Sequence, residues 1–464
     1  MIDGLRPYPE MKPSGLPWLG DVPAHWDVRR NGRLFGARRE TGFPDLPVLE
    51  VSIRSGVRIR DFDAGGRKQE MSDRSKYQRA VRGDIAYNMM RMWQGAVGIA
   101  PVDGLVSPAY VVARPFPEIG AAYYAYLFRT AAYMREIDTF SRGIVPDRNR
   151  LYWESFKQMP SVYPPLDEQR LIVRFLDWHG TQTAKLIRAK KRIIALLNEE
   201  KQAIIHRAVT RGLDLNAKLK PSGILWLGDV PAHWDLKKLK YLARFNNGLA
   251  FKPSDWSAAG TPIIRIQNLN GSEQFNYTTR HDLPSDMLIA KGDIVFSWSG
   301  NVGTSFGPFI WEREFSGYLN QHIFKLENIA TYQRYFYYVL KAVTKHVEEN
   351  THGIIGLVHI TKPELGSISV PLAPPEEQVG IAAWLDQRLS IHSAAVDRTQ
   401  REIALIQEFR TRLIADVVAG KLDVRAVAVA LPEVTDLEAV EEEPAEDGDL
   451  DEVIEDAENE EVAA

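Results

Sequence analysis

Amides, guanidiniums and indoles gathered in short polar loops are the side chains of this 464-residue chain best suited to a specific task. The task they suit is reading base edges, since Arg or Lys matches guanine and Asn or Gln matches adenine in the major groove. The clusters come in pairs. Ser52, Arg54, Arg58 and Arg60 follow a β-type run at Pro47 to Ile53, and Gln267, Asn268 and Asn270 follow another at Pro262 to Ile266. Further on, Asn88, Arg91, Trp93 and Gln94 follow a Gly-Asp-Ile segment, and Ser297, Trp298, Ser299 and Asn301 follow a second one. Gly95-Ala96-Val97-Gly98 and Gly300-Asn301-Val302-Gly303 then let the backbone turn sharply. Taken singly, each is an ordinary exposed polar residue. Taken as groups, unlike residues in like positions are what two readers of different half-sites require. Lys68, Arg74, Lys76, Arg79, Lys252, Arg265 and Arg280 are candidates for phosphate contacts, which position without specifying sequence.

Catalysis is a poorer fit. The chain has no cysteine, which removes disulfides, zinc-thiolate sites, iron–sulfur clusters and cysteine nucleophiles. A phosphate-cradling Walker loop is missing, because Gly420-Lys421 is followed by leucine and lacks the first glycine. The Pro-Pro pairs at Pro164-Pro165 and Pro374-Pro375 lack the flanking residues that hold a flipped base for amino-methylation. Glu199 and Lys201 superficially resemble a nuclease pair but fall inside a heptad-patterned helix. The spacing of His346, His352 and His359 fits neither a helical ligand pair nor a zinc finger, so no metal is expected.

The elements that must carry these loops are written twice. Lys12 to Asp27 recurs as Lys220 to Asp235 with 14 of 16 positions identical, at an offset of 208. Arg82 to Asn88 answers Lys291 to Ser297, and Pro165 to Asp177 answers Pro374 to Asp386. A period this long exceeds any solenoid unit, so a whole module is duplicated. Each module opens with a Pro-, Gly- and Trp-rich motif that reads as an ordered loop. Trp18, His25 and Trp26, with Trp226, His233 and Trp234, are the same in both copies and therefore read as structural or as docking surface. Short β-type runs follow, then aromatic helical patterns at Ala121 to Phe128 and Gln333 to Leu340. Each module closes on a long helix begun by a proline, with Asp167/Glu168 and Glu376/Glu377 at the positive end of its dipole.

These helices carry a seam. Ile187, Ile194, Leu197 and Ile204 sit on heptad steps, and Val396, Ile403, Ile406 and Leu413 occupy the equivalent places at offset 209. Lys201 and Arg410 interrupt the seam at matching positions, as a register-fixing residue does. Thirty residues of helix extend about 45 Å. An antiparallel pair would therefore separate two readers by about one duplex turn, roughly 10–13 bp between half-site centres. The chain is 45% hydrophobic and 25% charged, as ordinary globular proteins are, and no run approaches membrane-spanning length. Its net charge of −4 hides a division: the 16 acids after position 425 have no basic counterpart, leaving 57 basic against 45 acidic residues before them. A basic body is the footprint of a nucleic-acid partner, and the acidic end reads as a disordered tail.

The duplicated layout, the paired W-L-G-D-V-P-x-H-W openings, the G-D-I segments and the P-x-x-E-Q helix starts resemble the specificity subunits of Type I restriction-modification systems. The resemblance covers everything except the acidic tail. It implies α/β (α+β) target recognition domains in two tandem copies, separated by long helices that form an antiparallel coiled coil with pseudo-two-fold symmetry. The boundaries it implies are a first domain over 1–160, spacer helix 161–211, linker and second domain 212–370, spacer helix 371–424 and tail 425–464. It implies a cytoplasmic, non-catalytic subunit that binds duplex DNA, two methyltransferase subunits and restriction/translocase subunits. S-adenosylmethionine, ATP and Mg would act on those partners, with no cofactor or catalytic residue in this chain. Type IIB systems use similar subunits, and a duplicated non-catalytic nucleic-acid-binding scaffold is the alternative from the residues alone.

Overall fold

The computed structural model describes residues 5–61, 74–143, 149–350 and 357–432, so Lys68 and the acidic residues from 433 onward lie outside the described residues. The chain divides into two units, one of residues 1–190 with 401–464 and the other of residues 191–400. Both dividing points fall midway along the long helices, Leu166–Arg211 and Pro375–Val418, rather than at their ends. Each helix is too long to be covered by its own module, and its far half packs in the other unit.

Within the first unit, strands Phe35–Arg38, Tyr110–Pro115, Ile85–Asn88 and Val97–Ile99 form an antiparallel sheet in that order. The second unit repeats it with Arg244–Asn247, Ile323–Glu327, Ile294–Ser297 and Gly307–Ile310. One of the two inner strands of each sheet begins at the isoleucine of the Gly-Asp-Ile segment, whose local chemistry accounts for the motif. Gly83 and Gly292 have φ of +92° and +94°, where a side chain is strained. Asp84 and Asp293 each accept the backbone N–H three residues back, from Val81 at 2.8 Å and Ala290 at 2.9 Å. The next residues alternate between two cores, as a strand's period of two requires. Ile85 and Tyr87 enter the main core of the first unit and Ala86 a smaller one, while Ile294, Phe296 and Val295 do the same in the second.

The opening motifs are β-ribbons rather than loops. Met11–Pro13 pairs with Asp21–Pro23, and Leu219–Pro221 pairs with Asp229–Pro231. The aromatic helices form at Ala121–Phe128 and Gln333–Asn350, the second running ten residues beyond the pattern in the sequence.

The helices pair antiparallel inside each unit. In the first, Ile172, Phe175 and Leu176 share a core with Leu413, Val417 and Val418, and Lys190 meets Glu402 at 2.6 Å. In the second, Ile205, Ala208 and Val209 share a core with Ile381, Ala382, Leu385 and Leu389. There Lys201 donates to Ser393 at 3.2 Å, and His392 lies 3.2 Å from Glu200. The seam residues Ile187, Ile194, Leu197, Ile204, Val396, Ile403 and Ile406 are half-buried and Leu413 is buried, while Leu186, Ile193, Leu196, Leu405 and Phe409 on the other face are exposed. A further short helix, Arg425–Ala430, follows the second long helix. Val424 and Ala428 sit in the core of the first unit, and Asp423 bridges Arg6, so the packed body extends past the expected start of the tail at 425.

Candidate nucleic-acid interface

Each module's frame is closed by one carboxylate on its long helix. Glu168 accepts from Tyr8 Oη at 2.5 Å and Trp26 Nε1 at 3.0 Å, and its other oxygen lies 2.7 Å from His25 Nε2. In the second unit, Glu377 accepts from Trp234 Nε1 at 3.0 Å and lies 2.6 Å from His233 Nε2. Trp26 and Trp234 are fully buried. The shared opening motif therefore latches the start of each helix, which is a structural role. Burial and the Glu168 carboxylate hold the Tyr8 phenol far above its ordinary pKa.

The reading loops of the first unit meet through backbone approach. The hairpin Leu49–Ser52/Gly56–Ile59 lies against strand Val97–Ile99, and a Cβ on Gly98 would come within 2.6 Å of Val57 N. Ser52 is half-buried, its Oγ accepting from Arg54 N at 3.1 Å. The carbonyl of Arg54 is held by the Arg129 guanidinium, and Arg58 pairs with Glu50 across the hairpin. In the second loop Arg91 donates to Gln94 at 2.9 Å and Trp93 Nε1 to Met90 O at 2.9 Å, so Trp93 packs on the core. Asn88 is buried beneath them.

In the second unit Gln267, Asn270 and Asn301 are exposed. Asn268 is not available for reading. It is buried, accepts from Arg265 N at 3.0 Å and donates to the carbonyls of Ser272 and Gln274 at 3.2 and 2.8 Å, holding its own turn. Trp298 donates to Gln321 O at 3.0 Å and stacks on Phe324, and Ser299 is half-buried in a strand paired to His359. The turn Asn320-Gln321-His322 joins the two loops: Asn320 N donates to Ile264 O at 2.9 Å, while Gln321 O accepts from Trp298. Its exposed Gln321 lies outside both loop patterns read from the sequence, in a turn that only the fold brings beside them. Gly303-Thr304-Ser305-Phe306-Gly307 has the lettering of a nucleophile elbow. Its Ser305 is buried, accepts from Asn301 N at 2.6 Å and lies before a strand, not a helix.

Of the phosphate candidates, Lys76 and Lys252 are exposed and Arg74 lies beside Lys76 in one 3-10 turn. Arg79 is half-buried, bonded to Asp103 at 2.8 Å and paired with Glu40, and Arg280 is taken up by Asp282 at 2.7 Å and Asp255 at 3.6 Å. Arg265 donates to Asn276 at 3.0 Å. Opposite charges hold Arg79 and Arg280 away from a phosphate role. Lys341 stands apart: burial and then the nearby Lys201 push its ammonium down to about 8.

A constant frame, built twice and carrying two unlike polar loop sets, defines a duplicated recognition protein. Comparison with known proteins gives the same class. Residues 231–402 match the family described as Type I restriction modification DNA specificity domain. The chain is 23% identical over 431 residues to a putative type I restriction enzyme MjaX specificity subunit from Methanocaldococcus jannaschii, covering 88% of this chain and 96% of that one. It is 26% identical over 286 residues to the MjaVIII specificity subunit of the same organism, 58% of this chain and 64% of that one. A chain solved in a study of complex assembly in the type I R-M system superposes with TM-score 0.61 at 16% identity, over 86% of this chain and 98% of that one, and so shares its fold. The chain is thus similar, over most of its length, to Type I restriction-modification specificity subunits. Among the described residues no helix is long and apolar enough to cross a membrane.

Proposed function

We propose that this chain is the DNA sequence-specificity subunit of a Type I restriction-modification system. Each module reads one half of a bipartite, asymmetric duplex target, and the chain does no chemistry itself. The observation that carries this reading is the pairing of a repeated frame with different exposed polar side chains at equivalent loops, such as Arg54 against Gln267 and Asn270. Two methyltransferase subunits and restriction/translocase subunits, working in the cytoplasm with S-adenosylmethionine, ATP and Mg, are the partners that such a reader directs. Identical opening motifs and matched helices suit identical partner subunits. Mapping methylated adenine across the source genome with and without this gene tests the reading. One split, asymmetric motif should vanish with the gene, and an unchanged methylation map would refute it.

A further inference from the structure

The opening motifs are 14 of 16 identical through Asp27 and Asp235, and there identity stops. Val28-Arg29-Arg30-Asn31-Gly32-Arg33 stands against Leu236-Lys237-Lys238-Leu239-Lys240-Tyr241. Positive charge does not stop. In each module the segment is a strand and a 3-10 turn, Asp27–Arg30 with Asn31–Arg33 and Asp235–Lys238 with Leu239–Tyr241. Each turn walls an open cleft. That of the first unit, about 430 Å³, has Arg29, Arg30, Arg33 and Lys157 in its lining. That of the second, about 530 Å³, has Lys240, Arg244 and Lys362 beside the exposed ring of Tyr241. Among the described residues no carboxylate lines either cleft, although Asp27 bonds Arg29 and Glu154 pairs with Lys157 from its margin.

The matched lysines are the sharpest observation. Asn31 N donates to Met159 O and Leu239 N to Ile368 O, which aligns the turn of each module with the segment facing it. In that alignment Gly32 corresponds to Lys240, and Lys157 to Gly366. A Cβ on Gly32 would stand 3.1 Å from Lys157 Cβ, and a Cβ on Gly366 would stand 3.3 Å from Lys240 Cβ. One slot thus holds one lysine in both modules, supplied from opposite walls, with glycine facing it. A protein partner common to both modules would hold side-chain identity, as the opening motifs do. A cation kept while its residue position and neighbours change answers a need for charge alone, which is what a phosphodiester backbone imposes.

We infer that each cleft is a sequence-independent binding site for phosphodiesters of duplex DNA, with Lys157 and Lys240 as its matched cations. This rests on the DNA-reading role proposed above. The test is the salt dependence of binding by the full-length chain to a random-sequence duplex and to its target duplex. Lys157→Ala with Lys240→Ala should lower the slope of log K against log salt by about 0.9 for each phosphate no longer neutralised, equally for both duplexes. Lys157→Arg with Lys240→Arg should keep the slope and shows that the fold tolerates change there. The exchange Gly32→Lys with Lys157→Gly, which moves the lysine to the opposite wall, should also keep it, whereas Lys157→Gly alone should not. An unchanged slope in the double alanine chain, or weakening confined to the target duplex, overturns the proposal. So does an unchanged slope together with failure to capture a partner subunit. If the unaltered chain binds neither duplex, the DNA-reading role itself falls, and this site with it.

Discussion

The two latches make unequal demands, and removing each carboxylate measures the difference. Glu168 has a side chain only 6% exposed, and two of its donors, Tyr8 Oη and Trp26 Nε1, belong to buried residues. Glu377 is 40% exposed and serves one buried donor, Trp234 Nε1, with His233 open to water. An orphaned buried donor costs roughly 1–3 kcal/mol, and a donor that reaches water costs far less. Glu168→Ala should therefore destabilise the first unit by about 4 kcal/mol, and Glu377→Ala should destabilise the second by about 2 kcal/mol. Native-state hydrogen exchange read on peptides from each unit separates the two effects, because a single global melt would average them. Glu168→Gln keeps the one oxygen that accepts from both Tyr8 and Trp26 and should recover most of the loss. Equal losses from the two alanine substitutions would refute the reasoning, since they would mean that burial of the donors does not set the cost.

The buried Lys341 ammonium titrates near 8 in the folded chain against an ordinary 10.5, so its penalty is present in full below pH 8 and is relieved as pH rises from about 8 toward 10.5. Lys341→Met should stabilise the second unit by about 1–3 kcal/mol at pH 7, less what is lost with the Phe309 and Tyr337 rings, and should flatten that alkaline rise in chemical denaturation. Asn268→Ala removes three turn-holding hydrogen bonds and should cost about 1–3 kcal/mol in thermal unfolding, with target preference unchanged in a duplex-binding selection. Gln267→Ala or Asn301→Ala should instead leave stability within about 0.5 kcal/mol and relax the preference at one position of one half-site. Replacing residues 242–370 by the corresponding stretch of another such module should change only one half of the methylated motif, and a change in both halves would refute independent reading.

Much of the fold was legible in the sequence because it was stated twice. Two copies of Gly-Asp-Ile separate the residues that must be what they are, Gly83 with its positive φ and Asp84 with its turn bond, from the loops that differ after them. The heptad steps revealed the helix seam, since a period of 3.5 leaves a trace that no turn or strand leaves. Base-reading candidates were recoverable only as loops. Asn268 and Gln267 are neighbours of similar chemistry, yet one is consumed by its own turn and the other points outward. Arg79 looked like a free cation because its acid, Asp103, lies 24 positions away, whereas the acid nearest Arg280, Asp282, is only two positions on and was open to a local reading. Local pattern thus determined the modules, their order, their helices and the repeated frame, because backbone periodicity and turn chemistry are short-range. Which polar groups remain unspent was decided by tertiary structure alone, because a hydrogen bond or ion pair depends on distance in space. The same holds for the carboxylates that join each opening motif to a helix some 140 residues on, and for the lysine that changes walls between modules.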